Sequence, residues 1–189
     1  MKGKILLLTG LVVILVLSLA ASASAVPMKR TYRAQLVELN GSGVVGTAEL
    51  TMLPQNQLRV KVFASGLVPD IMHGLHIHGF ENGDPSTLPP PEDLIYGDGI
   101  TYLKEAILYT GPSLLHCKPA PRADCYGLVE YTRVFRGAEI ADLNLGEVPL
   151  SNRAVMLRGG FLPATYYGPA FEQTLPVAVG LVTGPYMID

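Results

Sequence analysis

Apolar and polar residues alternate along much of this chain with the two-residue period of a strand that has one face buried. Leu58-Arg59-Val60-Lys61-Val62 is the cleanest stretch, with every apolar side chain on one side and both cations on the other. Less regular strands are predicted over 32–39 and 44–53, divided by the Gly41-Ser42-Gly43 turn, and Pro54-Gln55-Asn56 turns the second of them into the Leu58 strand. Further strands are predicted over 74–80, 102–109, 128–135, 154–158 and 177–182, while 139–145 reads equally as a short strand or a loop. Long amphipathic helices are not predicted.

Short strands punctuated by Gly and Pro predict an all-β fold, an antiparallel β-sandwich or barrel. No internal repeat or interdomain linker interrupts the pattern. Two long irregular stretches, 81–99 and 111–126, are of a length that tends to carry function in a compact domain. The first contains the stiff Pro89-Pro90-Pro91 segment and ends in Gly97-Asp98-Gly99.

The first 25 residues break the pattern. Lys2 and Lys4 precede an apolar run over 5–19, and Ala21-Ser22-Ala23-Ser24-Ala25 supplies small residues at a cleavage site, so 1–25 reads as a secretory signal peptide and 26–189 as a single domain. The apolar run falls short of the roughly 20 residues that span a bilayer, and no later run is long enough. A secreted or periplasmic protein without a stable membrane span is expected. Of the 14 basic residues two leave with the leader, so 12 stand against 16 acids, a net charge of −4 that argues against nucleic-acid binding. In an oxidising compartment Cys117 and Cys125, eight positions apart, are expected to close a disulfide, ordering about nine residues at a gain of roughly 2–3 kcal/mol. A two-cysteine metal grip is the alternative, against which the spacing argues.

The candidate chemistry is concentrated in His73-Gly74-Leu75-His76-Ile77-His78-Gly79, which holds three of the four histidines. On a strand His76 and His78 share one face while Leu75 and Ile77 share the other, so two imidazoles form a paired grip of the kind that suits copper or zinc. His73 falls on the opposite face.

The segment from Gly66 to Phe80, with its Gly-Leu turn leading into His73-Gly74-Leu75-His76-Ile77-His78, resembles the copper-ligand strand of the Cu/Zn superoxide dismutases. Residues 152–160 resemble that family's R-x-x-V-V-H strand and 176–182 its closing strand. The resemblance implies an eight-stranded Greek-key β-barrel in which His76 and His78 match two copper ligands and His73 a structural histidine. It also exposes losses. The late copper histidine falls on Arg158, which cannot ligate a metal. The bridging histidine that follows Gly-Pro falls near Ser113, leaving His116 as its only substitute. Val179 and Pro176 replace a disulfide cysteine and a substrate-guiding arginine, and only Asp124 is left to match a zinc ligand, so zinc is not expected.

Three functional readings follow. The first is a secreted dismutase-like protein that binds copper through His76 and His78, with His116 as a weaker third ligand, and either dismutates superoxide weakly or carries copper. The second is a metal-free structural or interaction domain that has kept the barrel, since a fold does not fix a function. The third is an extracytoplasmic β-sandwich of the chordin-repeat kind. Arg158 is expected either to attract an anion or to fill the vacated ligand space, and Met156, on the same strand face, to pack in the core or to offer a thioether to Cu(I).

Overall fold

The computed structural model describes residues 29–90, 98–162 and 170–188. The leader, Glu92 and the tyrosines at 166 and 167 lie outside the described residues. Among those described, eight antiparallel strands form one curled sheet: β1 (Lys29–Glu38), β2 (Val45–Leu53), β3 (Gln57–Ser65), β4 (Gly74–His78), β5 (Ser113–His116), β6 (Val129–Arg136), β7 (Ala154–Phe161) and β8 (Phe171–Ile188), in the spatial order β5-β4-β7-β8-β1-β2-β3-β6. The all-β expectation holds.

Alternation sets which face turns inward. Tyr32, Ala34 and Leu36 of β1, Ala48 and Leu50 of β2 and Leu58, Val60, Val62 and Ala64 of β3 enter the core, and most of their odd-numbered neighbours face out, the buried pair Thr31 and Thr51 excepted. Pairing of Leu53 with Gln57 closes the predicted hairpin across Pro54-Gln55-Asn56, with Gln55 and Asn56 in the left-handed region at φ 61° and 51°. Leu75 and Ile77 of β4 and Val155 and Leu157 of β7 complete the interior from the other half of the sheet.

That second half is buried on both faces, because a helix lies over its outside. Residues 102–109, expected as a strand, instead form α1 (Leu103–Thr110). Leu103, Ala106 and Thr110 recur at the helical spacing of three to four residues. The buried Glu105 carboxylate accepts the Tyr102 backbone N–H at 2.6 Å, closing the first turn. Ala106 then packs with Leu39, Ala154, Met156 and Val179 in a small second core on the outer face. The segment leading into the helix is tied down at both ends. Ser86 Oγ donates to Thr110 O at 2.8 Å, and Asn40 Nδ2 donates to Thr101 O at 3.0 Å while its Oδ1 accepts Thr101 N–H at 2.7 Å. The undecided stretch near 139–145 contains a 3₁₀ helix, Gly137–Leu143. β5 sits inside what the sequence suggests is a loop, too short at four residues to show a period.

The expected disulfide is absent: Cys117 and Cys125 are both free thiols. Strand β5 runs Cys117 into the interior, where its N–H bonds Leu75 O and its side chain joins the core. Cys125 rides on an exposed turn in which Asp124 Oδ1 accepts the N–H groups of Tyr126 and Leu128, both at 2.8 Å. One thiol is drawn inward by strand packing and the other held outward by a side-chain-capped turn, so proximity in sequence does not bring them together.

Two outcomes are expected. A thiol reagent should titrate one cysteine per native chain and two in denaturant, since burial raises the Cys117 thiol to about 12 and hides it; a disulfide would give none. Ile77→Ala, at a fully buried site on the inner face of β4, should lower unfolding free energy in urea by about 2–5 kcal/mol.

Candidate functional site

β4 lies between β5 and β7, and its register decides what meets what. His76 pairs opposite Met156 on one side and His116 on the other, His78 opposite Ala154, and Gly74 opposite Arg158. With Leu75 and Ile77 committed to the interior, His76, His78 and Arg158 fall on the outer face of the sheet. The two imidazole rings stand 5.9 Å apart, and the exposed His116 ring lies edge-on to His76 at 4.5 Å. Both members of the expected pair are thus brought together, with His116 beside them.

Two glycines shape the floor. A Cβ on Gly111 would stand 2.3 Å from the backbone of Gly79, and one on Gly79 would run into the Arg153 guanidinium. Gly111 also has φ 78°, open to glycine without strain. The chain leaving α1 therefore touches the end of β4, and Gly111 O reaches His78 Nδ1 at 2.9 Å. Arg153, fully buried, braces this corner by donating to Phe80 O at 2.8 Å and Leu143 O at 3.0 Å.

The contacts among these groups fix the protons of both rings and of Ser113. Gly111 O only accepts, so His78 carries its proton on Nδ1 and presents a lone pair at Nε2. Ser113 Oγ lies 3.1 Å from that Nε2 and donates to it. Its hydroxyl proton being spent, Ser113 Oγ accepts from His76 Nδ1–H at 3.0 Å. That leaves the lone pair of His76 Nε2, with Arg158 Nη2 in close contact with that nitrogen. Nη2 also lies 2.8 Å from His76 Nδ1, but the proton there is committed to Ser113. The result is one directed chain, from His76 through Ser113 and His78 to Gly111 O, with the Arg158 guanidinium packed against the His76 ring.

The electrostatics agree with neutral rings. Burial, and then the Arg158 charge, hold His76 down at about 3; burial likewise lowers His78 to about 4, against the bond to Gly111 that works the other way. Arg158 itself is half-buried, and desolvation lowers its own value from the usual range.

The remaining candidates sit elsewhere. His73 is fully buried away from the pair, donating from Nε2 to Val68 O at 3.0 Å and so pinning the turn before β4. Met156 is fully buried beneath α1. Asp124 serves its own turn. Among the described residues no group of three or more His, Cys, Asp or Glu side chains is placed to hold a metal ion. The role of Ser113 between the two rings is not visible in the strand pattern; its only signal is its position after Gly111-Pro112.

No protein-family model and no curated protein matches the chain.

Depressed histidine values set a pH dependence. Unfolded histidine binds a proton near 6.5 and these two bind theirs near 3 and 4, so the unfolded state takes up more protons as pH falls. The stabilisation is fully present above about 6.5 and is lost as pH drops towards 4 and below. Urea unfolding measured from pH 7 to 4 should show this slope, and a His76→Gln/His78→Gln variant should lose most of it. By NMR neither ring should titrate between pH 8 and 5; a midpoint near 6.5 for either would contradict the hydrogen-bond chain.

Proposed function

We propose that this chain is an exported barrel of the Cu/Zn superoxide dismutase type whose copper site has become a closed hydrogen-bond chain, leaving a metal-free extracytoplasmic domain without dismutase activity. The sheet order supports the family reading: β6 returns beside β3 and β7 beside β4, crossings of the Greek-key kind. The sequence correspondence supports it again, since Ser113 and Arg158, the two residues that stand where the family's bridging and late copper histidines fall, both bond the retained pair.

One observation carries the loss of copper. Metal ligation by imidazole uses the nitrogen lone pair; that of His78 Nε2 is taken by the Ser113 hydroxyl, and the Arg158 guanidinium is packed against the His76 ring beside Nε2. A cation seated on a ligand nitrogen also repels an incoming cation. The residues present therefore do not fit copper in this arrangement, and no redox step is assigned to them. Export rests on the Lys-flanked apolar leader and its small-residue cleavage site; among the described residues no helix is long and apolar enough to cross a membrane. The competing reading, copper on His76 and His78 with His116 as third ligand, is supported by the 4.5 Å approach of His116 to His76. It requires Arg158 to leave and Ser113 to turn.

Calorimetric copper titration of the purified protein separates the two. The expected result is no one-to-one binding, in oxidising or reducing buffer, and no superoxide turnover above free copper. Arg158→Ala combined with Ser113→Ala should acquire a single copper site by freeing both lone pairs. One-to-one binding by the unaltered protein, abolished in His76→Ala/His78→Ala, would overturn the metal-free reading in favour of copper.

A further inference from the structure

Among the described residues, the outer-face site carries the Arg158 charge with no carboxylate paired to it. Among the described residues no carboxylate lies within ion-pair distance of Arg158; the ion pairs found there are Arg33 and Arg59 with Glu49, and Arg133 with Glu139. The titratable groups whose charges act on His76 are Arg158, His116, His78 and Lys118, and among the described residues no acid is one of them. The Arg158 Nε–H is buried without a hydrogen-bond partner, packed against Gly74. Ser113 and the His78 ring are already spent in the chain that ends at Gly111 O. A guanidinium brought half out of water with its Nε–H unpartnered and no counter-ion among the described residues is costly on its own and is relieved by an anion.

We propose that Arg158, with Lys118 at the rim, is the seat of a small monovalent oxyanion of the carboxylate class. The planar guanidinium edge matches a planar oxyanion through two parallel N–H···O bonds, while Lys118 adds a point charge without geometry. Arg158 Nη2 is held on His76, so the rest of the guanidinium is presented by a fixed post, which lowers the ordering cost of binding. A spherical halide gains the charge attraction but not the paired bonds, so carboxylate and bicarbonate should bind ahead of chloride. The inference rests on Arg158 standing where a metal ligand would otherwise be, as argued above. It is read from metal-free protein, however, and so can fail independently of the copper titration.

Acetate and bicarbonate, each titrated at constant ionic strength into chelator-treated protein, are the probes, with chloride as the control. NMR of ¹⁵N-labelled protein follows Arg158 Nε–H and the His76 ring. Saturable shifts at both groups are expected with acetate or bicarbonate, at concentrations at least threefold below any effect of chloride. Lys118→Gln should weaken binding about three- to tenfold with the shifts retained. Arg158→Lys should keep the charge but lose the preference over chloride, and Arg158→Gln should abolish saturation. Where Arg158→Gln does not fold, the Lys118 and Arg158→Lys variants decide. Linear, unsaturated shifts in the unaltered protein, equal response to chloride, or unchanged saturation in Arg158→Gln would overturn the proposal.

Discussion

The whole site depends on strand β4 being held from both edges in a single register. A strand with a neighbour on each side cannot slip by one residue without throwing Leu75 and Ile77 out of the core and both histidines into it. Burial of two aliphatic side chains on one face is therefore what fixes two imidazoles on the other. Once β4 is set, β7 delivers Arg158 and β5 delivers His116 to the same face, with Ser113 at the head of β5, and no long-range design is needed beyond antiparallel pairing.

A second constraint decides how those groups are used. The outer face of β4 and β7 is covered at one end by α1, which turns a solvated sheet face into a half-dry one. Polar groups placed there must find partners within the protein. Gly111 closes the helix and approaches Gly79 so nearly that only glycine fits at either place, and this contact brings a carbonyl to His78. The acceptor at the foot of the chain fixes the tautomer of His78, which fixes the direction of the Ser113 hydroxyl, which fixes the tautomer of His76. A backbone contact between two glycines thus sets proton positions as far away as His76.

How much of this the amino-acid sequence discloses depends on the range of the forces involved. The β2–β3 hairpin is legible because its alternation and its turn are both local: Leu58, Val60 and Val62 face one way and Pro54-Gln55-Asn56 bends the chain. The pairing of His76 with His78 is legible for the same reason. Helix α1 is hidden because its apolar residues are aimed at a patch, Met156 and Val179, that exists only after distant strands assemble. The disulfide expectation fails on a similar point: eight residues of separation say nothing of whether Cys117 is drawn into a core while Cys125 stays on a capped turn. Ser113 is the sharpest case. A serine in a Gly-Pro loop carries no pattern, and its importance arises solely from two lone pairs and protons that converge on it from β4.

Those lone pairs also explain why the replacements at 113 and 158 belong together. Two neutral imidazoles buried on one strand face present nitrogen lone pairs that water cannot reach freely, and each must meet an electrophile. A metal ion satisfies both at once; without one, each needs a proton donor of its own. Ser113 is that donor for His78, and its loss leaves the imidazole short of a partner at a cost of about 1–3 kcal/mol, while Arg158 lies against the His76 ring. The charge of the guanidinium matters as well as its protons. Placed at the end of the chain, it favours the neutral form of both rings, and keeping them neutral keeps their lone pairs available to accept. The site is stable because its cation sits at the donor end and its carbonyl at the acceptor end, so that every dipole between them points the same way.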